Sequence, residues 1–168
     1  MAIHAVSDKP YELAYEASVR AIENQAATVE SLRSRAGTIL AATALVTSFF
    51  GGQALTRTES SPLHVLSFTT AALGSFIAVS LLSLTILLPF TLRFSLSARA
   101  ILRFFEDVAE SDRVSPPEAF REVALQYEAM YDSNATQIRR LAVCFRLAIV
   151  CLLGEVGFWL TVLARGGL

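Results

Sequence analysis

The placement of charge constrains this chain more than any other feature. Charged residues make up 17% of the sequence, yet none falls between Arg35 and Arg57, and none between Glu59 and Arg93. A third run, Leu147 to Ala164, holds a single charge, Glu155. A bilayer core takes about 20 apolar residues at about 1.5 Å each, and these runs have that length. At 168 residues and 54% hydrophobic content the chain is the size of one domain, 1–168. A soluble globule of this size would carry roughly a quarter charged residues. The reading is an all-α integral membrane protein, and it excludes a disordered chain or a small disulfide scaffold.

Start and stop signals divide the sequence into three long helices, at about 10–55, 62–110 and 116–164. Ser7 and Asp8 precede Pro10 and Glu12, Ser61 precedes Pro62, and Ser115-Pro116-Pro117-Glu118 reads as a capping box. Gly51-Gly52 and the polar stretch Thr56 to Ser61 separate the first helix from the second, and Ser111 to Val114 separate the second from the third. Each helix is roughly 70 Å long at helical rise, more than twice a bilayer core of about 30 Å. Each is therefore expected to be part transmembrane and part cytoplasmic stalk, the whole forming a helical bundle. The spans fall at about 36–55, 65–90 and 143–164, and the stalk parts at about 10–35 and 91–142. In the stalk, apolar residues repeat at three- and four-residue steps, the pattern of a coiled-coil seam. They are Tyr15, Val19, Ile22, Ala26 and Val29; Phe94, Ala98, Ile101, Phe105 and Val108; and Phe120, Val123, Tyr127, Met130 and Asn134. The alternative, amphipathic helices lying on the membrane surface, would favour a Lys/Arg-rich polar face, whereas acids and bases are balanced here.

Flanking charge sets the orientation. Lys9, Arg20, Arg33 and Arg35, with Arg93, Arg99, Arg103, Arg113, Arg121, Arg139 and Arg140, oppose only Arg57 and Arg165. The positive-inside rule places the N-terminus in the cytoplasm and the C-terminus outside, with Trp159 near the outer interface. Arg146 lies about a turn inside the cytoplasmic boundary, where it can snorkel. The start of the sequence has no secretory-signal pattern, so the first span is expected to be an uncleaved anchor. A net charge of −1 gives no field for nucleic acid.

Two groups in the spans stand out. Gly37, Ala41, Ala44, Ser48 and Gly51 form a small-residue seam on the first span, suited to close helix packing within the chain or between copies. Glu155 is a carboxyl near the middle of the third span, where it should face the bundle or a water-filled path. No Lys or Arg occurs at matching depth. Its expected partners are hydroxyls: Thr43 or Thr47 on the first span, and Ser75, Ser80 or Ser83 on the second. Lacking a counter-charge, it is expected to be neutral. It is either an ion- or proton-pathway group or a hydrogen-bonded packing residue. Cys144 and Cys151, seven residues apart on one helix, form neither a disulfide nor a zinc site. His4 and His64 are isolated, and no catalytic, phosphate-binding or metal motif is present. The expectation is a protein that is not an enzyme and carries no cofactor or metal.

At Leu32-Arg33-Ser34-Arg35-Ala36-Gly37-Thr38-Ile39-Leu40-Ala41-Ala42, a helix bearing Glu and Gln runs through basic residues into a small and aliphatic opening of the first span. This pattern, and Tyr11 to Leu55 around it, resembles small bacterial multi-span membrane proteins. More distantly it resembles membrane modules of the SLATT and Pycsar-effector type. The resemblance implies oligomers in the inner membrane that compromise it during antiphage defence. The expected function is self-association in the membrane lipid as a homo-oligomeric, membrane-perturbing or pore-forming effector. Two alternatives stand beside it: a transport or channel component using Glu155, and a structural scaffold binding a cytoplasmic partner.

Overall fold

The computed structural model describes residues 9–56, 63–88, 92, 94 and 116–166, with side chains for 9–54, 67–88, 92, 94 and 118–164. All regular structure among them is helical: α1 (Lys9–Thr56), α2 (Leu63–Leu87) and α3 (Pro116–Gly166). Pro10, Pro116 and Pro117 sit in first turns, where the missing N–H costs no helical bond. Glu12 and Glu118 place acid at the positive end of the helix dipole. The expected caps Ser7, Asp8, Ser61 and Ser115 lie outside the described residues.

The first helix ends within a residue of the expected 55, while the expected end of the second is corrected. α1 passes straight through Gly51-Gly52, and neither glycine adopts a positive φ. Both lie in regular helix, where a pair of glycines weakens propensity without breaking the turn. The second helix, expected to continue to 110, ends at Leu87. Leu88 bends while its N–H still donates to the Leu84 carbonyl at 2.9 Å. Pro89 has no N–H for the next bond and disfavours helical geometry in the residue before it. Leu92 and Phe94 belong to no regular element. The rest of the second stalk seam, Ala98, Ile101, Phe105 and Val108, lies outside the described residues.

The chain divides into two compact units. The first comprises Met1–Val29 and Phe90–Ile138. Among its described residues, α1 and α3 run parallel. Tyr15 packs on Phe120 and Tyr127, with ring centroids 5.6 and 6.3 Å apart, and Gln25 Nε2 donates to the Tyr131 carbonyl at 3.0 Å. Ile22, Gln25, Val29 and Asn134 are buried, while Tyr15, Val19, Ala26, Phe120, Val123, Tyr127 and Met130 are half-buried. The expected seams on these two helices are thus the inward faces, with Gln25 added. The outward faces are charged, and Glu16 pairs with Arg20 one turn on, at 3.4 Å.

The second unit comprises Glu30–Pro89 and Arg139–Leu168 and is a three-helix bundle. Ala36, Ile86 and Leu141 form one core cluster. Ala72, Trp159 and Val162 form another, flanked by Val46, Phe50, Ala54, Phe68 and Phe158. α2 is therefore antiparallel to the other two, its Ile86 lying by Ala36 and its Ala72 by Phe50. Buried positions recur every seven residues: Ala36 and Thr43 on α1; Ala72, Val79 and Ile86 on α2; Leu141, Ala148, Glu155 and Val162 on α3. That period keeps one stripe facing its neighbours when helices coil gently around each other.

Beyond the exposed Glu30, Arg35, Arg139, Arg140 and Arg146, this unit is largely apolar outside as well as inside. Ser67–Leu87, with mean hydropathy 2.0, and part of Glu118–Ala164, with mean hydropathy 2.2, are long and apolar enough to cross a membrane. Only 22% of each such stretch is buried. Ile77, Leu81, Leu88, Val150, Leu153 and Leu160 point outward, each more than half exposed. The corresponding stretch of α1 is less apolar, because Thr38, Thr43, Thr47, Ser48 and Gln53 dilute it.

Candidate functional site

The site is a polar layer inside the apolar unit. Glu155 is fully buried, at 0% exposure, on the seven-residue stripe of α3. Thr43 and Thr47, one turn apart on α1, share the face that meets it. Thr43 Oγ1 donates to Glu155 Oε2, and Thr47 Oγ1 donates to Oε1 at 2.5 Å. Side chains on a helix lean toward its N-terminus, so Glu155 reaches back along α3 toward the threonines. Both carboxyl oxygens are thereby engaged, and no cation pairs with Glu155 among the described residues.

The two threonines depart from local habit. Thr38, Thr85 and Thr161 each return their hydroxyl to the carbonyl four residues earlier on their own helix. Thr43 and Thr47 give theirs to α3 instead, replacing a local bond with one that ties two helices. Of the five hydroxyls expected around Glu155, these two are bonded to it, while Ser75, Ser80 and Ser83 are not. Ser75 is half-buried; Ser80 Oγ and Ser83 Oγ are buried without a hydrogen-bond partner, and Ser83 is 0% exposed. The layer can hold α1 and α3 at one register. It also sets a polar carboxyl, two threonines and two unsatisfied serines in the same bundle.

Trp159, expected near an interface, is buried in the bundle with its Nε1 unpartnered. Small neighbours make room for it: Ala72 packs on it, and a Cβ at Gly51 would lie 3.5 Å from its ring. The i, i+4 spacing from Glu155 on the stripe of Ala148 and Val162 carried this signal in the sequence. Of the small-residue seam, Ala41, Ala44 and Ser48 are exposed, and Gly37 and Gly51 are half-buried. Among the described residues, and apart from its own stretch of helix backbone, nothing lies within 4 Å of a Cβ built at Gly37, whereas Gly51 approaches Trp159. Cys144 and Cys151 are free and half-buried. No group of three or more His, Cys, Asp or Glu residues capable of holding a metal occurs among the described residues.

The chain matches no known family model, no curated protein and no solved structure.

Proposed function

We propose that the chain is a non-enzymatic protein of the bacterial inner membrane that acts by self-association, as a membrane-perturbing or pore-forming effector. It would span the membrane at about 36–55, 65–90 and 143–164, with its N-terminus cytoplasmic and its C-terminus outside. The observation that carries this reading is the apolar exterior of the second unit. The core helix of a soluble protein is mostly buried, whereas less than a quarter of each apolar stretch is covered here. Leu153 and Val150, at 68% and 63% exposure, need lipid or another copy around them.

The exposed faces differ in kind, which supports a homo-oligomer. α2 and α3 present large aliphatic side chains, as a lipid-facing surface does. α1 also presents large groups, Leu45 and Phe49 at 72% and 64% exposure, but beside them runs a strip of Ala41, Ala44 and Ser48, small enough to allow another helix backbone to come close. Packing α1 inward would line the assembly with its hydroxyls. The resemblance of Tyr11 to Leu55 to SLATT-type modules supports the same outcome. Reconstitution into liposomes tests it: the protein should release a trapped ion or dye, with release rising steeply with protein density. Intact vesicles at every density would contradict it.

A second reading, an ion or proton pathway, draws on Glu155 together with the unsatisfied Ser80 and Ser83 hydroxyls. Glu155→Gln keeps the shape and hydrogen bonding of a neutral carboxyl but cannot ionise. Release by the variant should match the parent under the effector reading and vanish under the pathway reading. A scaffold for a cytoplasmic partner would give no release with either protein.

A further inference from the structure

The first unit carries an open groove of about 510 Å³ between α1 and α3. Ala14, Ser18 and Ala21 form its α1 wall, and Ala124 and Leu125 lie on the α3 side. Arg121 and Glu128 also line it, two turns apart, and neither has an ion-pair partner among the described residues. The groove is thus apolar and shallow-walled, with a base followed two turns later by an acid. A helix entering it parallel to α3 would match if it offered the reverse order, acid then base, next to an apolar knob.

This chain has such a face. Leu13, 57% exposed, stands on α1 beside Glu16 and Arg20, on the side turned away from the buried Ile22 and Val29. We propose that a second copy of this chain seats its Leu13/Glu16/Arg20 face in the groove. The inference rests on the self-association reading above, since copies sharing one membrane orientation must meet with α1 and α3 parallel and at equal height. Height is set by the chain's own contacts: Tyr15 lies against Phe120 and Gln25 against Tyr131, so residues 105–106 apart are level. Glu16 of the second copy then stands level with Arg121. Arg20 of the second copy falls beside Leu125, within one side-chain length of Glu128. The charges meet in complementary order at the only height the membrane allows. Groove and knob are different surfaces, so the contact is heterologous and repeats around a ring.

Full-length protein in detergent, with Cys144→Ser and Cys151→Ser, tests this by mixing two single-cysteine pools at level positions, Leu13→Cys and Glu118→Cys. Oxidation should give a cross-linked dimer in the mixture and little in either pool alone. Adding Arg121→Glu to the Glu118→Cys chain should remove most of the cross-link. Placing Glu16→Arg in the Leu13→Cys chain should then restore it, which a folding defect would not permit. Equal cross-linking of Leu13→Cys chains with themselves would overturn the proposal in favour of a like-to-like contact. An oligomer by light scattering with no cross-link would overturn this contact and leave self-association standing. A monomer at all concentrations would remove both.

Discussion

The two units use the same helices α1 and α3 with opposite surfaces. The first is charged outside and apolar or aromatic inside, with Glu16 and Arg20 paired in solvent and Tyr15 stacked on Phe120 and Tyr127. The second is largely apolar outside and buries an acid, Glu155, against Thr43 and Thr47. A seven-residue stripe organises the interior of the second unit, so helix packing alone does not explain the contrast. The difference lies in what each unit must expose. The first exposes charge, as a surface in water does, and the second exposes apolar side chains, as the proposed membrane spans would.

The sharpest way to break that contrast is to charge both exteriors. Leu153→Arg places a cation on the apolar face of α3, at a cost of about 2.5–3.5 kcal/mol near a bilayer centre. Membrane insertion of this variant should drop severely in a fractionation assay. Ala129→Arg, on an exposed face of the first unit, should change stability by no more than about 0.5 kcal/mol. Were Leu153→Arg to leave the protein folded and more soluble, the second unit would belong in water.

The inner polar layer gives the next largest effect. Thr43→Val with Thr47→Val leaves Glu155 buried with neither hydroxyl, costing about 1–3 kcal/mol in a reversible unfolding assay in bicelles. Glu155→Leu should lose roughly 1 kcal/mol for each of the two hydrogen bonds, and Glu155→Gln should lose less than either. A Gln variant as damaged as Leu would show that the carboxyl itself matters. The corresponding polar residue of the first unit should behave differently. Gln25 makes one bond to Tyr131, yet its Oε1 is buried without a partner. Gln25→Leu exchanges that unsatisfied group for apolar packing, so its effect on the thermal midpoint should be close to zero.

The smallest effect sharpens the account of α1. Gly51 is in regular helix, and an added methyl would meet Trp159 at an ordinary contact distance of 3.5 Å. Gly51→Ala should therefore be neutral or stabilising, by up to about 1 kcal/mol from helix propensity. Destabilisation would mean that the bundle closes more tightly there.

Legibility in the sequence followed the strength of the local signal. Helix ends at Lys9 and Pro116 carried proline and acid in the first turn, and both agree with the expected starts to within one residue. The Glu155 partners were legible as a depth match: threonines four apart on one span, opposite a lone acid on another. The choice of Thr43 and Thr47 over the serines was not, because it depends on which side of α2 faces α3. Pro89 signalled the end of α2, but the long uncharged run around it masked the break. The burial of Trp159 in the bundle was not legible, because it depends on Ala72 and Gly51 of other helices leaving space for a ring. The small-residue seam of α1 was legible in spacing, but that Ala41, Ala44 and Ser48 lie exposed beside Leu45 and Phe49 needed three helices packed together before it could be seen.

The central claim is that the apolar unit spans a membrane, and the topology of its connections tests that most directly. Single cysteines at positions 57 and 112, in a background with Cys144 and Cys151 replaced by Ser, can be probed in intact cells with a membrane-impermeant thiol reagent. Position 57 should label from outside and position 112 only once the membrane is permeabilised, because Ser67–Leu87, long and apolar enough to cross a bilayer, lies between them. Equal labelling of both positions from either side would contradict it.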